Sequence, residues 1–497
     1  MNFELSRKSN VVAIIFILFA LIFSSISLVN HYLLRTYSFD LGMFNQALYS
    51  FAHFKMNYFT LDQNGNAVNY FGDHFAPITL LLAPLYYLGG TYTLLVVQIL
   101  FVLIGGWGVY RYASLHYSNS YIPVIILVQF FGIWGIYSAL SYDFHTNVLA
   151  AMLVPWLIYY HERTNTRAFL LMFLLILIAK ENMALWLFFI LLGLALKKIA
   201  QRSFKSEIRK LLKLEIPLMI FTVIYFIATV GYIMPYLSGT IHANPMNRYA
   251  ELGNNLSEIV SNIFLHPGHV ISLLFESPLK EQYTFGIKME LHLMVLVSGG
   301  FALLFRPYYL VMLIPIYAQK LFANDYAFWG INGQYSIEFV PILSLCLADF
   351  LLKIKSSKLA MAIAIATTVT TIGFNIDRME SRRSVWYNRT NTAFYAKQHY
   401  QSPLNVKAIK EELATIPDEV PVSVSAPLAP WLASRDKLYS FPVVKDAAYL
   451  VLLRTSTYPL SEEDFANMLT EYMHSEDYTL LYDKNELVIF KKRGEGS

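Results

Sequence analysis

Charge is what this sequence has least of. Only 14% of its 497 residues are Asp, Glu, Lys or Arg, against roughly 25% in a soluble globular domain. That shortfall comes with 56% hydrophobic residues and a mean hydropathy of +0.45. Together they exclude a water-soluble globule and call for repeated membrane crossings rather than one anchor. Cysteine occurs once, as Cys346 in an apolar run, which excludes an intrachain disulfide and a cysteine-based metal site. With a net charge of +4 and no basic tract, nucleic acid is not an expected partner. Short-period repeats and low-complexity linkers are also missing. Residues 11–30 follow Arg7 and Lys8 as a signal peptide would. The run is longer than the roughly 7–15 apolar residues of such a peptide, and no small-residue cleavage site follows, so a retained first span is expected.

Apolar runs are what the chain has in abundance. They lie at roughly 11–30, 92–110, 121–139, 147–160, 168–179, 183–196, 214–236, 289–305, 307–321, 337–352 and 359–376. This predicts an α-helical polytopic membrane region over 1–376 with about eleven transmembrane helices. Charge supports the alternation. With the N-terminus cytoplasmic, Arg111, His161 to Arg167, Lys197 to Lys213, Arg306 and Lys353 to Lys358 all fall inside, as Lys/Arg-rich loops should. The same rule divides residues 168–196 at Lys180-Glu181-Asn182. A single helix there would be about 43 Å long against a hydrocarbon core of about 30 Å.

Three loops then face outward: 31–91, about 237–288 and about 322–336. In the first, Leu41, Phe44, Leu48 and Phe51 recur at helical spacing, predicting a helix in the interface. Residues 78–88 are too short to span and are expected to lie at the interface or re-enter it. From 377 to 497 charge rises and apolar runs shorten, which predicts a small extracytoplasmic α/β domain. Strands are expected at 422–425 and 448–453, a helix from Ser461 to about 473, and a hairpin of 478–482 with 486–490.

The chemistry-bearing residues gather in the outer loops. Asp40 stands just beyond the first span, and Gly72-Asp73-His74-Phe75-Ala76-Pro77 follows in the same loop. This pattern points to a catalytic site at the membrane surface, with transfer of a sugar from a lipid phosphate carrier as the expected reaction. Such a transfer needs a base for the acceptor hydroxyl at headgroup depth, where Asp40 sits; Asp40 equally suits a helix N-cap. Asp73 and His74 could orient one another, hold a divalent cation with Asp40, or cap the helix after Pro77. Asp143 and His145, two apart in an extended loop, would share a face or serve as ordinary interfacial residues. Lys180 could bind the carrier phosphate and Glu181 pair with it or with another loop, or the two could neutralise each other in a turn. Arg35, Arg248, Lys280 and Lys288 are the outer cations available to a leaving phosphate, or they face headgroups. Tyr335, in the aromatic and amide-rich third loop, suits sugar recognition or an interfacial belt. Asn255-Leu256-Ser257 and Asn388-Arg389-Thr390 match the N-glycosylation sequon, a motif common by chance.

Phe39 to Leu48, Gly72 to Pro77, Asp143-Phe144-His145, Lys180-Glu181-Asn182 and Val424 to Pro427 together resemble a bacterial membrane-protein family catalogued as domain of unknown function 2079. Asn182 stands where that family usually has an acid, and Gln334 where it often has His. The family resembles the glycosyltransferase C superfamily, which includes protein mannosyltransferases and aminoarabinose transferases. The resemblance implies a multi-helix plasma-membrane fold, a polyprenyl-phosphate sugar donor, inversion at the anomeric carbon and a catalytic acid in the first outer loop, which Asp40 matches. His74 and Pro77 loosely match a His-Pro element later in that loop. The acceptor, glycan, lipid or protein, does not follow. A flippase of lipid-linked sugars and a non-catalytic subunit of a cell-envelope complex are the alternatives; gathering of the ionisable residues on one side disfavours the first.

Overall fold

The computed structural model describes residues 2–201, 213–239, 245–279 and 281–494. Among these, five helical runs are long and apolar enough to cross a membrane: Lys8–Tyr32, Ile78–His116, Met183–Ala200, Glu215–Ser238 and Ser357–Glu380. Two bent pairs raise the number to seven: Ile122–Gly132 with Trp134–Leu140 at 43°, and Ser257–Leu265 with Pro267–Phe275 at 97°. The second bend falls at His266, just before a proline that disfavours helical backbone in the residue ahead of it.

The helices used below are α1 (Asn2–Tyr32) and α2 (Met43–Ala52); α3 (Thr93–His116), α4 (Ile122–Gly132) and α5 (Trp134–Leu140); α6 (Thr146–Glu162), α7 (Thr166–Leu177) and α8 (Met183–Gln201); α9 (Glu215–Ala228), α10 (Leu256–Leu265) and α11 (Pro267–Phe275); α12 (Ile287–Val297), α13 (Pro307–Leu321), α14 (Phe339–Leu351) and α15 (Ser357–Glu380). The predicted break at Lys180-Glu181-Asn182 is present between α7 and α8. Not every apolar run makes a full-length helix. The run at 289–305 is cut at Gly299, whose φ of +100° suits glycine, leaving 11-residue α12 and a 3₁₀ turn. α7 and α14 have only 12 and 13 residues.

One helix-end cluster gathers charges that the alternation placed on a single side. Lys197 lies 2.6 Å from Glu162 and 3.3 Å from Asp349, and Arg306 lies 3.2 Å from Asp349. His161 meets Glu215 at 2.9 Å, and Lys198 pairs with the same carboxylate. These pairs join α6, α8, α9 and α14, and Arg306 immediately precedes α13.

Beyond α15 the chain builds a five-stranded sheet from β3 (Val422–Val424), β4 (Leu438–Ser440), β5 (Tyr449–Leu453), β6 (Tyr478–Lys484) and β7 (Leu487–Lys492); β1 (Tyr58–Phe59) and β2 (Val68–Asn69) pair within the first loop. The sheet order is β4-β3-β5-β7-β6, parallel on both sides of β3 and antiparallel around β7. Alternate β5 residues face opposite sides. Leu450 and Leu452 meet Phe465 and Leu469 of α16 (Glu462–Met473), whereas Val451 and Leu453 join the apolar core shared with the membrane helices. The expected strands, hairpin and Ser461-capped helix are all present. Asn485 and Glu486 take φ of +55° and +65° in the hairpin turn, as two-residue hairpin loops often require. Strands β1, β2 and β4 are additions, each too short for a periodic signal.

The sheet rests on the first loop. Ser38 bonds Ala426 and Ser440, both at 3.3 Å. The Gln46 amide donates to the Arg435 carbonyl at 3.2 Å, and Thr60 exchanges two 2.8 Å bonds with Leu438. Cys346 is buried in α14.

Candidate active site

Asp40 belongs to a π-helical turn, Ser38–Gly42, that runs into α2. It makes no helix cap: the residue before α2 is Gly42, without a side-chain capping bond. A β-carbon on Gly42 would lie 3.0 Å from Leu61 and 3.4 Å from Ala429, so glycine allows loop and C-terminal region to close on this turn. The Asp40 carboxylate points elsewhere, with Oδ1 3.1 Å from His145 Nε2.

The α5–α6 loop supplies the rest. Asp143 holds a left-handed φ of +54°, uncommon for a residue with a β-carbon and tolerated best by Asp and Asn. Gln98 of α3, fully buried, fixes that loop by donating to the Asp143 carbonyl at 2.8 Å and accepting from the His145 amide at 2.9 Å. Asp143 Oδ2 in turn accepts from the Tyr37 and Leu41 amides at 2.9 and 3.3 Å. Two acids distant in sequence are thereby placed side by side.

Their environments differ. The Asp40 side chain is 26% exposed, whereas Asp143 is buried. Burial, then the adjacent Asp40 charge, pushes the Asp143 carboxyl well above the usual carboxylate range, against the pull of its amide bonds. Burial lowers the proton affinity of His145, against the pull of Asp40. A neutral His145 offering Nε2–H to Asp40 leaves Nδ1 bare, and Nδ1 is buried without a partner among the described residues. Tyr142 stacks on the imidazole at 5.7 Å.

Asp40 and Asp143 line a cavity of about 240 Å³ together with Arg35, Tyr335 and Arg382. Arg382, just after α15, is braced by bonds from Nη1 to Ser138 Oγ at 2.8 Å and Asn332 Oδ1 at 3.1 Å, and by the Tyr387 ring at 4.4 Å. Its Nη2 is buried without a partner among the described residues. Glu290 secures the segment by accepting the Arg383 amide at 3.0 and 3.1 Å. The cavity wall thus carries Asp40, backed by the His145 imidazole, and the Arg382 guanidinium, an arrangement suited to proton abstraction beside an anion.

The other expected residues are distributed as follows. Asp73 and His74 bond each other at 2.6 Å, but neither lines this cavity. The Phe44 ring contacts both imidazoles, 5.6 Å from His74 and 6.0 Å from His145. Glu181 accepts the Phe75 amide at 3.2 Å and is not paired with Lys180. Lys180 lines a second, smaller cavity that shares Tyr335 with the first. Arg248 lies 5.0 Å from the Phe328 ring, which contacts Tyr335 at 4.4 Å. Arg35 spends its guanidinium on carbonyls, including His399 at 2.8 Å and Gln401 at 2.6 Å. Lys288 is buried against the carbonyls of Leu273 and Leu321, and Lys280 lies outside the described residues. Asn255 and Asn388 of the two sequons are helix N-caps.

Among the described residues no three His, Cys, Asp or Glu side chains are grouped to hold a metal ion; a cation at Asp40 would find His145 as a second donor. Arg382 is the cavity-lining cation that sequence reasoning missed. Its signal was the basic run Arg378, Arg382, Arg383 and Arg389 just after the last apolar stretch.

Nearly the whole chain superimposes on known structures. One is ArnT from Cupriavidus metallidurans in the apo state, at 10% identity and a TM-score of 0.56, covering 96% of this chain and 97% of that one. Another is the same protein bound to undecaprenyl phosphate, at 12% identity and 0.54, covering 97% and 98%. At these identities the likeness establishes the fold. No curated protein sequence matches significantly. A family model, "Predicted membrane protein (DUF2079)", matches residues 30–487, and the chain belongs to that family of multi-pass membrane proteins.

Proposed function

We propose that this protein is a membrane glycosyltransferase that moves a sugar from a polyprenyl-phosphate carrier to an extracytoplasmic acceptor with inversion. The observation that carries this reading is the pairing of Asp40 with His145, beside the buried Asp143, at the wall of a cavity that Arg382 also lines. Asp40 takes the proton of the acceptor hydroxyl as that oxygen bonds to the anomeric carbon. The bond from that carbon to the phosphate oxygen breaks, and the phosphate leaves with the electron pair. The Arg382 guanidinium stabilises its charge, and His145 holds the Asp40 carboxylate in position. An ArnT structure of the same fold carries undecaprenyl phosphate, which supports a carrier of that class here.

The topology follows the charge pattern: about eleven crossings, some by short or broken helices, in the plasma membrane, with the N-terminus cytoplasmic. The region after residue 376 lies with the first loop on the outer face. The contacts of Gln46 and Thr60 with residues 435–438 support that common side, and this region helps shape the acceptor entrance.

Transfer of label from a panel of radiolabelled polyprenyl-phosphate sugars to envelope extract, with the purified protein in lipid, tests the assignment. Asp40→Asn should lower turnover by at least about 100-fold, the usual scale for a lost general base, while eluting and melting like wild type. Undiminished turnover in that variant would falsify the assignment of the base.

A further inference from the structure

The second cavity is a site of its own. Its volume is about 20 Å³, and its lining comes from five parts of the chain: Asn147 of α6, Asn182 between α7 and α8, Lys320 of α13, Gln334 and Tyr335 of the third loop, and Glu338 before α14. It is polar although deeply placed; Asn147 and Gln334 are each 5% exposed, Glu338 4% and Lys320 1%. The donors are largely committed. Asn147 Nδ2 bonds Glu338 Oε1 at 2.9 Å, Lys320 donates to the Gly330 carbonyl at 2.8 Å, and Asn182 Nδ2 bonds Gln319 at 3.3 Å. The acceptors are not. Asn147 Oδ1, Asn182 Oδ1 and Gln334 Oε1 are all buried without a hydrogen-bond partner among the described residues. Buried carbonyl oxygens are normally satisfied, and three on residues that line one small space favour a bound group that donates.

Size and charge restrict that group. About 20 Å³ admits one water-sized moiety. Lys180 and Lys320 outnumber Glu338 along the lining, which disfavours a cation. Tyr335 lines both this cavity and the one containing Asp40, so a molecule held at Asp40 is adjacent to the second space. We infer that the second cavity is a sugar-reading subsite that takes a hydroxyl substituent of the glycosyl group being transferred. Asn147, Asn182 and Gln334 accept from that substituent. The inference rests on the donor class proposed above and adds the residues that tell a sugar-loaded carrier from a bare one.

Equilibrium binding to the full chain in lipid nanodiscs tests it. The probes are undecaprenyl phosphate, bare and carrying each of a set of hexoses and pentoses. Wild type should bind at least one loaded carrier more tightly than the bare one. Gln334→Met and Asn182→Leu keep side-chain size and remove the acceptor. Each should shrink that preference roughly three- to tenfold, the value of one net hydrogen bond, and leave bare-carrier affinity unchanged. Wild type without a preference, or two folded variants that keep it in full, would overturn the subsite and leave carrier binding standing. Wild type that binds no form of the carrier would overturn the functional reading, and the subsite with it.

Discussion

Of the two carboxyl groups within one site, Asp143 is buried and Asp40 is partly exposed. Asp143 carries its own test. Its proton affinity is raised on folding, so between the unfolded carboxylate value, about 3.9, and the folded one, the native state binds more protons than the unfolded state, and stability falls as pH rises. Asp143→Asn keeps an oxygen for the Tyr37 and Leu41 amides and removes the titration. Its melting temperature should therefore exceed that of wild type at neutral and alkaline pH, with the gap closing toward pH 4; thermal scans across pH in nanodiscs read this directly. The acids and His145 were legible as local clusters. Their arrangement was not, because the bonds from Asp143 to Tyr37 and Leu41 span 106 and 102 residues, beyond any local pattern. Asp73 and His74 stood as a second polar pair in the same loop, and only tertiary structure shows that they do not line the cavity of Asp40.

Helices position the site through a few polar side chains in apolar surroundings. Gln98, a single amide within the apolar run 92–110, makes two hydrogen bonds that hold the α5–α6 loop. Gln98→Leu leaves a buried carbonyl and a buried amide unpaired and should cost about 2–4 kcal/mol. Chemical denaturation measures that loss, and transfer activity should fall with it because His145 no longer sits squarely against Asp40. At this scale the sequence was most readable where charge interrupts apolar runs. The break at Lys180-Glu181-Asn182 could be placed from helix length and charge alternation, and the basic stretches recur as the network around Glu162, Glu215 and Asp349. Span length was least readable. Apolar composition does not reveal where a left-handed glycine such as Gly299 ends a helix.

The molecule as a whole is not a membrane body with a detachable appendage. Val422, Leu428, Leu438 and Val451 belong to the same continuous core as α3, α6 and α14. Arg35, at the end of the first helical region, also binds carbonyls of residues 390–401. Arg35→Lys keeps the charge and loses the forked donor set. Hydrogen exchange should then quicken together in 35–42 and 389–401. Faster exchange in only one segment would separate the loop from the C-terminal region. The strands and the Ser461-capped helix were readable from period and capping chemistry, but the docking surface was not, because Ser38, Gln46 and Thr60 are unremarkable residues until a sheet lies over them.

Cys346, the single cysteine, is fully buried in α14, which makes the wild-type chain silent to thiol reagents that stay in water. Any cysteine introduced at an exposed position then becomes a unique reporter of the side on which it lies. Leu481→Cys on β6 and Arg163→Cys between α6 and α7, both exposed, should react with an impermeant maleimide from opposite faces of sealed vesicles, turning one inert thiol into a map of the whole topology.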